Sequence, residues 1–246
     1  TAYLSGHTKA AERKEILEQL KDGSIHILIG THALIEENVV FSALGLVITD
    51  EQHRFGVKQR QALESKGKSP HVLIMTATPI PRTMALSVYG DLDVSFIKGM
   101  PPGRHPVKTY VVGSHMLQRI FRFMKKEMES GHQAYVVCPL VEQSEKQDLA
   151  AAVSVYENLR DHVFPQFGVG LVHGRMKNAE KEQVMEDFRK GKFKLLVATS
   201  VIEVGVNVPD ATVMFVYGAD RFGLSQLHQL RGRVGRGKEQ AYCVLY

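Results

Sequence analysis

An apolar run, Gly45–Thr49, ends abruptly in four polar residues, Asp50, Glu51, Gln52 and His53. A short apolar run of this kind reads as a buried strand of a parallel sheet, and ligands of open α/β sheets sit beyond the carboxyl ends of such strands. Successive strand side chains point to opposite sides. An aspartate placed there can hold Mg²⁺ directly or through water, and the adjacent glutamate can orient and deprotonate an attacking water. The chemistry that suits this placement is nucleotide hydrolysis. A second candidate group is Gln229-Leu230-Arg231-Gly232-Arg233-Val234-Gly235-Arg236-Gly237. Three arginines interleaved with glycines make a poor helix interior, since each Gly costs about 1 kcal/mol relative to Ala. The glycines let the backbone fold tightly while the arginines present planar, permanent charges, a pattern explained by delivery of charge to a phosphate. A third apolar run, Leu73–Met75, ends in Thr76, Ala77 and Thr78, whose hydroxyls could hydrogen-bond neighbouring loops.

The elements that must hold these residues form a repeat. In one ungapped register Leu4–Asp50 matches Val172–Gly218, with identities at Gly6/Gly174, Lys9/Lys177, Ala11/Ala179, Glu12/Glu180, Glu18/Glu186, Gly23/Gly191, Leu28/Leu196 and Thr31/Thr199. Each copy reads as an amphipathic helix (Ile16, Leu17, Leu20; Val184, Met185, Phe188), a glycine stop and a β-rich run, Ile25–Ile29 or Phe193–Ala198. A further apolar strand follows each, Leu44–Thr49 and Thr212–Tyr217. Alternating helices and fully apolar strands predict α/β architecture: two lobes, each a parallel sheet with helices on both faces. Between the copies, Lys98–Pro106 (KGMPPGRHP) holds three of the nine prolines and two glycines. It is the expected interlobe linker, dividing a first lobe, 1–97, from a second, 107–246.

Composition narrows the function classes. Of 246 residues, 44% are hydrophobic and 23% charged, which describes a folded globular chain and not a disordered one. The longest apolar runs fall far short of the roughly 20 residues that cross a bilayer, so no membrane role is expected. Cys138 and Cys243 stand apart, without ligand spacing, which fits a reducing cytosol and disfavours structural zinc. The formal charge of +5 permits contact with a polyanion without demanding it. The start at Thr1 and the end at Tyr246 inside an apolar run predict a piece of a longer chain, its first lobe truncated at the N-terminus.

DEQH followed by RFGV, then TATPIPRT, then QLRGRVGRG, in this order and spacing, resemble the superfamily 2 helicases, and within them the RecG-type branched-DNA helicases. The likeness includes the LSGHTKAAER opening, the MPPGR linker and RFGLSQLHQLRGRVGRG, and so runs along nearly the whole chain. It implies two RecA-like lobes with ATP between them, DNA as partner at forks or four-way junctions, a monomer, and a bacterial cytoplasmic location. By the same resemblance Asp50 and Glu51 serve Mg²⁺ and water activation, and Gln52 and His53 link the nucleotide site to Thr76-Ala77-Thr78. Arg233 and Arg236 act as arginine fingers with Gln229 beside them, and Glu203 to Gly205 lie near the nucleotide. Gly30-Thr31-His32, His173-Gly174 and Thr199-Ser200 grip the DNA backbone. The chain departs from the family at Asn207, where aspartate is usual; the amide keeps an acceptor oxygen and loses the charge.

ATP hydrolysis also needs a glycine-rich loop opening a helix, to hold the phosphates. The run Ala62–Ser69 (ALESKGKS) imitates one, but it follows a helical segment and precedes the strand Val72–Met75, the reverse of strand, loop, helix. The true loop is expected upstream of Thr1, so these 246 residues alone are expected not to turn over ATP. Two other readings stand beside the branched-DNA helicase. The motor of a transcription-repair coupling factor shares TATPIPRT and QLRGRVGR but tends to carry DEEH. A non-catalytic nucleic-acid-binding module would have lost its phosphate loop. An RNA helicase of the DEAD-box kind fits less well, because neither DEAD nor serine-alanine-threonine occurs.

Overall fold

A computed structural model of the protein describes residues 1–51, 57–76, 93–97, 99–139, 145–199 and 207–246. The chain divides into two compact units, Thr1–Arg82 and Thr83–Tyr246.

The first unit runs β1 (Ala2–Leu4), α1 (Ala10–Asp22), β2 (Leu28–Gly30), a 3₁₀ turn (His32–Ile35), β3 (Leu46–Thr49), α2 (Val57–Glu64) and β4 (His71–Ile74). All its strand pairing is parallel: β1 with β2, Leu4 opposite Gly30, and β3 with β4, Thr49 opposite Ile74. Helix α1 buries Ile16 and Leu20, four residues apart on one face, and stops at Gly23, whose φ of +88° is one that L side chains rarely adopt. Leu20 packs with Leu4, Ala33 and Val39 in the core of this unit.

The second unit runs β5 (Lys108–Val111), α3 (Leu117–Glu129), β6 (Gln133–Cys138), α4 (Glu145–Asn158), β7 (Val169–Val172), α5 (Asn178–Arg189), β8 (Leu195–Thr199), β9 (Ala211–Val216), α6 (Leu224–Arg231) and β10 (Tyr242–Leu245). Its six strands form one all-parallel sheet in the order β5-β10-β9-β6-β8-β7. Every residue of β6, β8 and β9 is buried, as their unbroken apolar runs require of strands covered on both faces. Strand alternation sends Tyr135, Val137, Leu196, Ala198, Met214 and Val216 against α5 and α6. The intervening Ala134, Val136, Leu195, Val197, Val213 and Phe215 pack against α3 and α4.

The duplication read from sequence is a duplication of backbone. Each pair joining β1 to β2 (Ala2 with Leu28, Tyr3 with Ile29, Leu4 with Gly30) has its mate joining β7 to β8 (Gly170 with Leu196, Leu171 with Val197, Val172 with Ala198). The turn after the first strand closes the same way in both, Thr8 N–H on Ser5 O and Met176 N–H on His173 O, each 3.2 Å. The helices open on lysines of matching geometry, Lys9 (φ −60°, ψ 146°) and Lys177 (φ −63°, ψ 149°).

The copies differ in what covers them. Ile27, Ile29, Leu46 and Ile48 are 54–57% exposed, whereas their mates Leu195, Val197, Met214 and Val216 are 0% exposed. In the second unit Leu195 and Val197 lie under α3 and α4 and beside β6. Among its described residues the first unit has no counterpart of those three elements. Of the expected linker, 99–106 is exposed and free of helix and strand, and it lies within the second unit; Lys98 is outside the described residues.

Candidate functional site

Strand β3 buries Val47 and Thr49, and leaves Asp50 exposed at its carboxyl end. The Glu51 N–H donates to the Asp50 carboxylate at 2.9 Å, and Glu51 takes a left-handed φ of +50°. Such a conformation is uncommon outside glycine and is concentrated at functional sites. The parallel partner β4 brings Met75 alongside, its N–H on Thr49 O at 2.8 Å, so Thr76 follows at the same end of the paired strands as Asp50 and Glu51. Gln52, His53, Ala77 and Thr78 lie outside the described residues.

The turn after β2 is built on Gly30, where a Cβ would come within 2.1 Å of the Leu4 carbonyl oxygen. Thr31 N–H donates to that carbonyl at 3.2 Å, and Thr31 O accepts from Leu34 N–H at 3.0 Å. The backbone is thereby used up in holding the turn, and the Thr31 side chain makes no capping bond. Thr31 and His32 are exposed.

In the second unit His173 and Gly174 follow β7, and Thr199 ends the adjacent β8. His173 Nδ1 and Thr199 Oγ1 are buried with no hydrogen-bond partner among the described residues. Burial, then the cations Lys181 and Arg175, hold the His173 imidazole below its ordinary range, against the pull of Glu180. Lys181 also donates to the Gly174 carbonyl at 2.9 Å. Ser200, Glu203 and Gly205 lie outside the described residues, and Asn207 is exposed.

Helix α6 ends at Arg231, as the glycine spacing demands, with Gly232 N–H on His228 O at 3.1 Å. Leu230 and Val234 are buried in the core, anchoring the arginine segment on both sides of Arg231 and Arg233. Gly235 is left-handed (φ +72°), and a Cβ on Gly237 would sit 2.6 Å from Pro209 O, so both glycines are needed for this tight path. Gln229, Arg233 and Arg236 are half-buried, and Arg236 donates to Gly232 O at 3.3 Å. The sequence had not singled out Tyr135, a core tyrosine on the same side of the sheet. Burial pushes its hydroxyl up to about 12, opposed by the charges of Arg236 and Arg233. An aromatic inside an apolar strand carries no sequence signal of such a neighbour.

The arrangement thus assembles Asp50, Glu51 and Thr76 in one unit. In the other it assembles His173, Gly174 and Thr199 at paired strand ends, and Gln229, Arg233 and Arg236 around the end of α6. The imitation phosphate loop is helix, turn, strand, since α2 precedes it and β4 follows. No group of three or more His, Cys, Asp or Glu able to hold a metal occurs among the described residues. Mg²⁺ needs only one or two carboxylates besides waters and phosphates, which fits Asp50. Cys138 and Cys243 are free and buried, and no described helix is long and apolar enough to cross a membrane.

Two family models match the chain: DEAD/DEAH box helicase over residues 2–86, and helicase conserved C-terminal domain over residues 114–238. The ATP-dependent DNA helicase RecG of Bacillus subtilis is 56% identical over 244 residues, 99% of this chain and 36% of that protein. RecG of Synechocystis is 54% identical over 242 residues, 98% of this chain and 29% of that protein. The chain therefore spans about a third of the length of these curated relatives. Among solved structures, RecG bound to a three-way DNA junction matches with a TM-score of 0.74 and 49% identity, over 99% of this chain and 31% of that one. The DEAD-box helicase Mss116 bound to single-stranded RNA, at 17% identity and a TM-score of 0.70, covering 100% of this chain and 52% of that one, shares the fold.

Proposed function

Since this chain belongs to the superfamily 2 helicases, we propose that it supplies most of the motor core of an ATP-dependent DNA helicase that remodels branched DNA, such as stalled forks and four-way junctions. The observation that carries this reading is the step from Thr49 to Glu51: a buried strand end that delivers two successive carboxylates, the second on a left-handed backbone. Relatives named ATP-dependent DNA helicase, and the likeness to a RecG bound to a three-way junction, support the choice of substrate.

Asp50 would hold Mg²⁺, which when bound neutralises charge on the nucleotide phosphates. Glu51 accepts a proton from the attacking water. Arg233 and Arg236 bring fixed positive charge to the transferring phosphate, with Gln229 beside them. Thr31 and His32 in one unit, and His173, Gly174 and Thr199 in the other, hold the DNA backbone through hydroxyl, imidazole and backbone donors. Hinging of two lobes at Lys98–Pro106, action as a monomer and a cytoplasmic location in a bacterium complete the proposal.

The test is Glu51→Gln in a chain extended upstream to carry a phosphate loop. The amide keeps the shape but accepts no proton, so ATP binding persists while hydrolysis is abolished. Hydrolysis at the unsubstituted rate overturns the assignment of Glu51.

A further inference from the structure

Resting on the helicase reading, we infer that Lys66 is a positioning residue that ties the turn carrying Thr31 and His32, the residues assigned to DNA, to the helix and strand flanking the hydrolytic carboxylates. Lys66 belongs to the run that imitates a phosphate loop, and its ammonium has a different use. It donates to two backbone carbonyls, Glu36 O at 2.7 Å and Val39 O at 2.9 Å. Both lie directly downstream of the 3₁₀ turn. Glu36 closes that turn through its N–H on Ala33 O, and Glu36 O accepts in addition the Val39 N–H at 3.1 Å. The Val39 side chain is buried with Ala33 and Leu4, and Arg13 of α1 pairs with the Glu36 carboxylate. One ammonium therefore gathers the downstream side of the turn, through charge-assisted bonds of the stronger kind.

The backbone of Lys66 is joined to the other half of the device. Ser65 N–H donates to Gln61 O at 2.9 Å and Lys66 N–H to Leu63 O at 3.3 Å, so Lys66 rides on the end of α2, the helix that follows Asp50 and Glu51. Gly67 presses on the approach to β3: a Cβ there would lie 2.8 Å from Leu44 O and 3.1 Å from Leu44 Cβ. A displacement of α2 or β3 is thus delivered by Lys66 to the segment 36–39 and to the turn in front of it. Hydrogen-bond networks of packed residues are one of the physical carriers of coupling between sites, and the measurements below test whether this one carries it.

Lys66→Met keeps the length of the stem and removes the donors; Lys66→Arg restores donors and charge. In the 246-residue chain, hydrogen exchange at the Leu34, Glu36 and Val39 amides should quicken about tenfold in Lys66→Met, with recovery in Lys66→Arg, while the amides of α1 stay unchanged. In a chain extended upstream to a phosphate loop, Lys66→Met should leave DNA-independent ATP hydrolysis within about twofold. The DNA concentration for half-maximal stimulation should rise about tenfold. Unchanged exchange at 34–39 overturns the clamp, and an equal loss of DNA-independent and DNA-stimulated hydrolysis overturns the relay. An extended chain whose hydrolysis ignores DNA defeats the helicase reading and the relay with it; the exchange data then still report the clamp on its own.

Discussion

His173 follows β7 and Thr199 ends the adjacent parallel strand β8, and each keeps one buried polar atom, Nδ1 and Oγ1, without a hydrogen-bond partner among the described residues. A buried polar group left unmade costs about 1–3 kcal/mol, a cost that a binding site can carry when its ligand supplies the missing partner. Thr199→Val removes the hydroxyl and keeps the shape. It should leave the DNA-free chain as stable as before, or raise its stability by about 1 kcal/mol in a urea melt, while weakening DNA binding measured at fixed salt. Lower stability together with unchanged DNA affinity would assign the hydroxyl to the fold.

The same histidine gives a pH dependence of known sign. Its folded-state pKa is depressed, so above the ordinary value of 6.5 both folded and unfolded chains hold it neutral. As pH falls through 6.5 the unfolded chain takes up the proton first, and stability declines until the folded form is protonated as well. The urea midpoint should therefore drop on acidification below 6.5, and His173→Asn should remove that part of the drop. A midpoint equally acid-sensitive in both proteins counts against the assignment.

Arginine charge should be worth much more to rate than to binding. In a chain extended to a phosphate loop, Arg236→Ala and Arg233→Ala should each slow ATP hydrolysis, by as much as about 10³-fold, with the nucleotide affinity changed far less. The 246 residues alone should show no metal-dependent ATP turnover. Turnover by them would place a phosphate cradle within this sequence.

Limited proteolysis should cut first near Arg104, in the exposed stretch 99–106 that contains neither helix nor strand. Two resistant pieces of about 100 and 140 residues are expected, each in the usual range for a domain. First cuts inside β6, β8 or β9 would argue against a hinge there.

The legible part of this molecule was the part governed by periodicity and by glycine. Unbroken apolar runs foretold β8 and β9, and the repeated Gly23 and Gly191 mark the ends of matching helices. The break at Gly232 could be read from the helix cost of the arginine-glycine segment. Lys66 shows what could not be read. Its partners are main-chain carbonyls 27 and 30 residues away, and a carbonyl has no side-chain identity to leave in a sequence. The exposure of Ile27, Ile29, Leu46 and Ile48 was illegible for a related reason: the pattern of a strand says that a face is apolar, not what lies over it.

Those four side chains also govern how the 246 residues, taken by themselves, behave in a tube. Apolar surface gathered on strand faces is adhesive toward dyes, chaperones and other copies of itself, and strands with unfilled neighbours are templates for further pairing. The 246 residues should accordingly fluoresce with a hydrophobic probe while still folded, and precipitate on warming before the six-stranded sheet melts. Replacing Ile29 and Ile48 by threonine should raise the solubility ceiling while leaving Leu196 and Val216, deep in the other unit, untouched.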